Sequence, residues 1–214
     1  MPLSRHHVCV APIRVSHSRI ASRRTIASVA VSLLSVMILP RAYAAPVEPT
    51  DVPPALAVPP HQTLVIKALG VGVQVYTCTQ AKDDPTQFSW TFNVPEATLF
   101  SDTDRHRIGL HYGGPTWESK DGSKIVGTLK AKADSPTKSA IPWLLLSARA
   151  IVDTGEFGPI RYVLRLHTVG GIAPTGPCDA STVGRNARVP YAADYYFYAP
   201  SSAAASAHEG KTRS

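Results

Sequence analysis

The residue types that could do chemistry crowd into one stretch, HYGGPTWESKDGSKIVG, His111 to Gly127. His111 and Glu118 are the imidazole and carboxylate a general acid–base pair requires, and the Gly113-Gly114-Pro115 kink between them would bring them together. With Arg165 or Lys124 as charge stabiliser, such a pair reads as an uncatalogued hydrolase or lyase. The competing reading is a well-made hairpin: two glycines and a proline kink a strand, and Asp121-Gly122 turns the chain back. No nucleophile motif accompanies the pair, so the hairpin is the favoured reading and His111 and Glu118 stand as the catalytic candidates.

Two further groupings suggest binding. In IRYVLRLHTV, Arg161, Arg165 and His167 alternate onto one strand face, where guanidinium forks would match a carboxylate or phosphate. The plain alternative is the solvated side of an antiparallel strand. Tyr112 and Trp117 stand beside the kink and offer rings on which a sugar would stack, whereas Trp90, alternating with Phe88 and Phe92, reads as core. The ligand-binding candidates are therefore His111, Tyr112, Trp117, Glu118, Lys124, Arg165 and His167. The chain carries no G-x-S-x-G, H-E-x-x-H, phosphate-binding loop or strand-borne G-x-G-x-x-G, and the histidines after residue 44 are scattered. Neither a metal nor a cofactor is expected.

The elements that must position these residues show a period of two. VGVQVYTC sets Val71, Val73 and Val75 against Gln74 and Tyr76, and QFSWTFNV sets Phe88, Trp90, Phe92 and Val94 against polar neighbours. HRIGLHY sets Ile108, Leu110 and Tyr112 against Arg107, Gly109 and His111; KIVGTLKAKA and IRYVLRLHTV alternate likewise, the latter setting Ile160, Tyr162, Leu164 and Leu166 against Arg161, Val163, Arg165 and His167. Alternation with β-branched and aromatic residues marks half-buried antiparallel strands. Ala140–Val152 reads as a strand rather than a short buried helix, and Tyr195–Tyr198 as a last strand with rings on both faces. The fold class is all-β, an antiparallel β-sandwich or barrel of roughly eight or nine strands with little helix.

The 214-residue chain has a formal charge of +7, which invites a nucleic-acid reading until the N-terminus is separated out. Residues 1–44 combine basic residues, an apolar run (Thr25–Leu39) and an Ala-Tyr-Ala end, the pattern of a secretory signal peptide cleaved after Ala44. They carry six of the 22 Lys and Arg and none of the 15 Asp and Glu, so the remainder has a net charge of +1 and nucleic acid drops out as a partner. No membrane anchor is expected after cleavage. The paired Arg23-Arg24 leaves both the twin-arginine and the general secretory routes open. Export, to the periplasm or outside the cell, makes a Cys78–Cys178 disulfide the favoured state of the two remaining cysteines. Residues 45–60 hold six prolines and read as an extended, solvated linker. Residues 61–198 read as a single β domain and 199–214 as a disordered tail.

Taken together, KALGVGVQVYTC, HYGGPTWESKDGSKIVG, IPWLLL, RLHTVGG, CDA and VPYAADYYFY resemble an uncharacterised family of secreted proteins of bacteria and fungi, a domain of unknown function, over about Val58 to Tyr198. Some fungal relatives carry the label malate dehydrogenase. The residues do not support it, because a nicotinamide enzyme needs a doubly wound nucleotide fold. The resemblance implies an exported domain and transfers no active site. The function expected is an exported β-domain that binds a small ligand, such as a carbohydrate, or an envelope polymer without chemistry, with the His111–Glu118 hydrolase or lyase as the alternative.

Overall fold

A computed structural model describes residues 45–203; the expected signal peptide and most of the expected tail lie outside the described residues. Eight antiparallel strands, β1 (Gln62–Gln80), β2 (Phe88–Ser101), β3 (Arg107–Tyr112), β4 (Thr116–Ser119), β5 (Lys124–Ala133), β6 (Trp143–Val152), β7 (Tyr162–Gly170) and β8 (Asn186–Pro200), follow one another around a closed barrel. Each pairs with the next in sequence, and β1 pairs with β8 to close the ring. Closure removes the exposed edges that an open sheet would present. Helix among the described residues is limited to a 3₁₀ turn, Pro54–Leu56, and residues 201–203 just after β8.

Small residues on one wall of the lumen make room for rings on the other. Ala68, Gly70 and Gly72 of β1 face inward opposite Tyr195, Ala193 and Tyr191 of β8. A Cβ on Gly70 would sit 2.5 Å from the Tyr195 ring. Gly127 of β5 does the same for Trp117, whose indole would lie 2.8 Å from an added Cβ. The freed space takes Trp117, Phe157, Tyr195 and Phe197, all fully buried. Each such ring contributes roughly 2–3 kcal/mol by leaving water, so this inner core holds the barrel.

Several face assignments expected from alternation are reversed. Gln74 and Tyr76 point inward while Val71 is 44% exposed. On β3, Gly109 and His111 face the lumen and Leu110 and Tyr112 face out. On β7, Val163 and Arg165 face in, opposite Phe197 and Tyr195. The reason is a second apolar layer outside the barrel. Leu64, Trp143, Leu145, Leu164, Leu166, Tyr196 and Tyr198 form an outer cluster, and the Pro-rich segment lies across it.

That segment is no solvated linker. Leu56 is completely buried, Val52 and Val58 pack beside it, and Tyr198 Oη donates to Glu48 Oε2 at 2.6 Å. Prolines hold it extended at little entropic cost, which suits a strap. Tyr195–Tyr198 accordingly shows rings on both faces, as expected, with Tyr195 and Phe197 inside and Tyr196 and Tyr198 under the strap. Trp90 departs from its expected core position. The β1–β2 pair runs on past the barrel through Cys78↔Trp90, leaving Trp90 half-buried and Phe92 48% exposed. Trp90 Nε1 donates to Gly176 O, and the Cys78–Cys178 disulfide, with Cα atoms 5.5 Å apart, ties the 171–185 loop to this ribbon.

Candidate functional site

The β3–β4 hairpin decides the fate of the catalytic pair. His111 pairs with Trp117, and Leu110 with Glu118. Directly opposed residues share a face and neighbours alternate, so His111 and Glu118 lie on opposite sides of the sheet. A His111–Glu118 acid–base pair is therefore not formed, and the hydrolase or lyase reading loses its centre.

Outside, Glu118 is one corner of a small surface triad. Tyr112 Oη donates to Glu118 Oε2 at 2.6 Å, and Lys124 Nζ lies 3.0 Å from the same oxygen and 6.0 Å from the Tyr112 ring centroid. The Tyr112 hydroxyl and then the Lys124 ammonium hold the Glu118 carboxyl below its usual pKa, and Glu118 in turn raises Lys124. Each group satisfies the others, so nothing here reaches for a ligand. The adjoining turn is structural too. Gly122 takes φ +85°, and Asp121 accepts bonds from Ser123 N and Oγ and from Glu156 N.

Inside, His111 is 3% exposed and stacks on Trp117, with centroids 4.4 Å apart and planes 8° from parallel. The expected sugar platform is absent because Trp117 is 1% exposed, while Tyr112 stays outside. Burial pushes the His111 pKa down to about 3; the Thr116 carbonyl opposes this, and the nearby Arg165 charge adds to it. His111 Nδ1 donates to Thr116 O at 2.9 Å, since a carbonyl only accepts; with so low a pKa the neutral ring carries its proton on Nδ1 and its lone pair on Nε2.

Arg161, Arg165 and His167 are separated rather than gathered. Arg161 precedes β7, is exposed, and donates to Gly158 O and Ile160 O. Arg165 enters the lumen between Leu144 and Tyr195, where Nη2 donates to Pro142 O at 2.7 Å. A bulge between Leu166 and Val169 turns His167, at φ +49°, out toward the strap. There Nδ1 lies 2.9 Å from Asp194 Oδ2 and Nε2 2.9 Å from Asp51 Oδ2. Burial opposes protonation of this ring, and the two carboxylates outweigh it, holding its pKa above the ordinary histidine value.

The lumen around Arg165 is the polar region that alternation hid. Tyr191 Oη and Tyr195 Oη meet at 3.2 Å, Tyr76 Oη donates to Gly171 O, and the Arg165 charge is felt at Tyr76, His111, Tyr191 and Tyr195. Three buried nitrogens of this lumen lack a hydrogen bond of good geometry, Arg165 Nε, Gln74 Nε2 and Trp117 Nε1, although Gln74 reaches toward the Tyr191 hydroxyl and the Arg165 guanidinium toward that of Tyr195. Arg165 makes no ion pair among the described residues. An unpaired buried donor costs about 1–3 kcal/mol, so the open Nε–H of a lumen cation needs an explanation. The spacing Ala68, Gly70, Gly72, Gln74, Tyr76 was the signal for this face: small residues at every second position predict rings opposite, and place Gln74 beside them.

The barrel wall is uneven. β4 and β5 pair only from Thr116↔Val126 to Glu118↔Lys124, while β5 continues to Ala133. Leu129, inward-facing opposite Leu146, is 53% exposed above that short seam. At the other end a groove of about 500 Å³ is lined by residues including Lys67, Asp102, His106 and Glu156, none of them a sequence candidate. Among the described residues no cluster of three or more His, Cys, Asp or Glu is placed to hold a metal ion.

Against known proteins, residues 59–199 match the model of one family, described as "Protein of unknown function (DUF3455)". No curated protein and no solved structure matches the chain.

Proposed function

We propose, for a chain that belongs to the DUF3455 family and takes no described activity from it, that this is an exported β-barrel that binds a small polar ligand at the Arg165 end of its lumen, without chemistry. The observation that carries the reading is the Arg165 guanidinium inside the barrel, with no carboxylate partner among the described residues and with its buried Nε–H unanswered. A domain kept only for its shape gains nothing from such groups, because apolar residues of similar size fill a core at lower cost. An envelope polymer has less support than a small ligand, since Trp117 gives it no exposed platform. Export rests on the leader pattern of residues 1–44 and is supported by the Cys78–Cys178 disulfide. The family's spread through bacteria and fungi belongs to the same proposal.

Trp117 makes the test direct, since it stacks on His111 within the lumen. Titrating the purified protein with a panel of small metabolites and short glycans should produce a saturable change in tryptophan emission for a small polar compound. A flat response to every member of the panel overturns the reading. N-terminal sequencing of protein recovered outside the cytosol should begin at Ala45; a chain retained intact in the cytosol overturns export.

A further inference from the structure

We propose that the Arg165 end of the lumen is an oxyanion site that takes a small carboxylate or an ion of like geometry. The inference deepens the binding function proposed above and rests on it.

The sign of the occupant follows from the unmatched atoms. Arg165 Nε, Gln74 Nε2 and Trp117 Nε1 are all donors. A neutral alcohol or amide would answer one donor and bring hydrogens of its own, whereas an anion offers acceptors alone. Among the described residues no carboxylate is buried in the lumen as a counterion. Glu118 faces out to Lys124, Glu96 to Arg188 and Asp194 to His167. A guanidinium in a low-dielectric lumen without a carboxylate is costly, and an anion removes that cost.

Geometry limits the class further. Arg165 Nη2 donates to Pro142 O and Nε–H has no acceptor, so the edge of the fork that carries Nε–H is not saturated by the protein. That edge matches the two oxygens of a carboxylate, or two of a tetrahedral oxyanion. The opposite wall is filled by Tyr195 and by the His111–Trp117 stack, so the ion must be small.

The experiment compares acetate, inorganic phosphate and the neutral isostere acetamide, each titrated into the purified protein at constant ionic strength with chloride as reference. Thermal unfolding and tryptophan emission are both read. Acetate or phosphate should raise the midpoint saturably while acetamide and chloride do not, and which of the two binds tighter identifies the source. Arg165→Met should weaken the effective anion by at least about tenfold, and Arg165→Lys, which keeps charge but not the fork, by an intermediate factor. Circular dichroism establishes that the variants fold. Should Arg165→Met fail to fold, Gln74→Leu serves, with an expected weakening of about fivefold from the loss of one donor. Anions no better than chloride, or anion binding untouched by both substitutions, overturn the inference. Saturable binding of a neutral compound in their place leaves the lumen-binding function standing and removes only the anion class.

Discussion

The lumen near Arg165 and the outer face beneath the strap both mix aromatic rings with charge, and they settle that charge differently. Under the strap, His167 sits between Asp51 and Asp194, and Glu48 accepts from Tyr198. Each charged group there has a hydrogen-bond partner, and an apolar layer around Leu56 surrounds them. In the lumen, Arg165 has a backbone carbonyl and tyrosine rings for company but no anion. A closed set of charges explains itself as structure, since each group lowers the cost of burying its partner. An open set points beyond the chain. The two histidines carry the same contrast, the His111 pKa pushed down by burial and that of His167 raised by carboxylates.

Truncation offers the largest effects. Trp117→Ala in the lumen should cost about 3–5 kcal/mol, because a fully buried indole leaves a cavity that the rigid wall cannot close. Leu56→Ala under the strap should cost about 2–4 kcal/mol in the same denaturant titration. A negligible loss at Leu56 would mean that the strap is detached and that the outer layer is not core.

The next effect is a pH dependence set by His111. Its folded pKa lies at about 3 against an ordinary 6.5, so the unfolded state binds the proton first. Stability is therefore present above about pH 6.5 and lost as pH falls toward 3, by at most about 5 kcal/mol. His111→Gln should flatten that slope in urea titrations between these limits. An unchanged slope would place the neutral buried imidazole in error.

Arg165→Met separates the two regions most sharply while moving stability little. With an unpaired lumen cation removed, the folded state should be unchanged or more stable by up to about 2 kcal/mol. A loss of several kcal/mol would instead make Arg165 a structural residue, as balanced as His167. His167→Asn gives the smallest effect, below about 1 kcal/mol, because the imidazolium is partly exposed and solvent screens it. The sign is opposite to that of His111. A raised folded pKa gives stability that is complete below about 6.5 and lost as pH rises through the elevated value. Hydrogen exchange of residues 45–60 should accelerate over that rise.

Strand periodicity, the turn at Asp121-Gly122, the disulfide and the all-β class were legible in the sequence because each depends on neighbours in the chain or on residue type alone. Which face of a strand turns inward was not. Leu164 and Leu166 look like the core side of β7, and they are buried, but under the strap rather than in the lumen. Alternation reports two environments without saying which is inside, and a Pro-rich segment that covers the outer face makes both apolar. The same ambiguity set His111 on the face opposite Ile108 and Leu110 without showing it to be the lumen side, and hid Gln74. Small residues at 68, 70 and 72 were the better guide, because only a crowded interior needs Gly70 opposite Tyr195. The separation of His167 from Arg165 depends on a bulge with a left-handed residue at 167, which no pattern of oily and polar residues foretells.

The most direct test of the lumen account is nitrogen NMR of the His111 ring across pH 5 to 8, with and without acetate or phosphate. A neutral ring protonated at Nδ1 throughout, whose resonances move on adding the anion in the parent protein but not in Arg165→Met, is the predicted result. A His111 that titrates near its ordinary 6.5, or that ignores every anion, contradicts it.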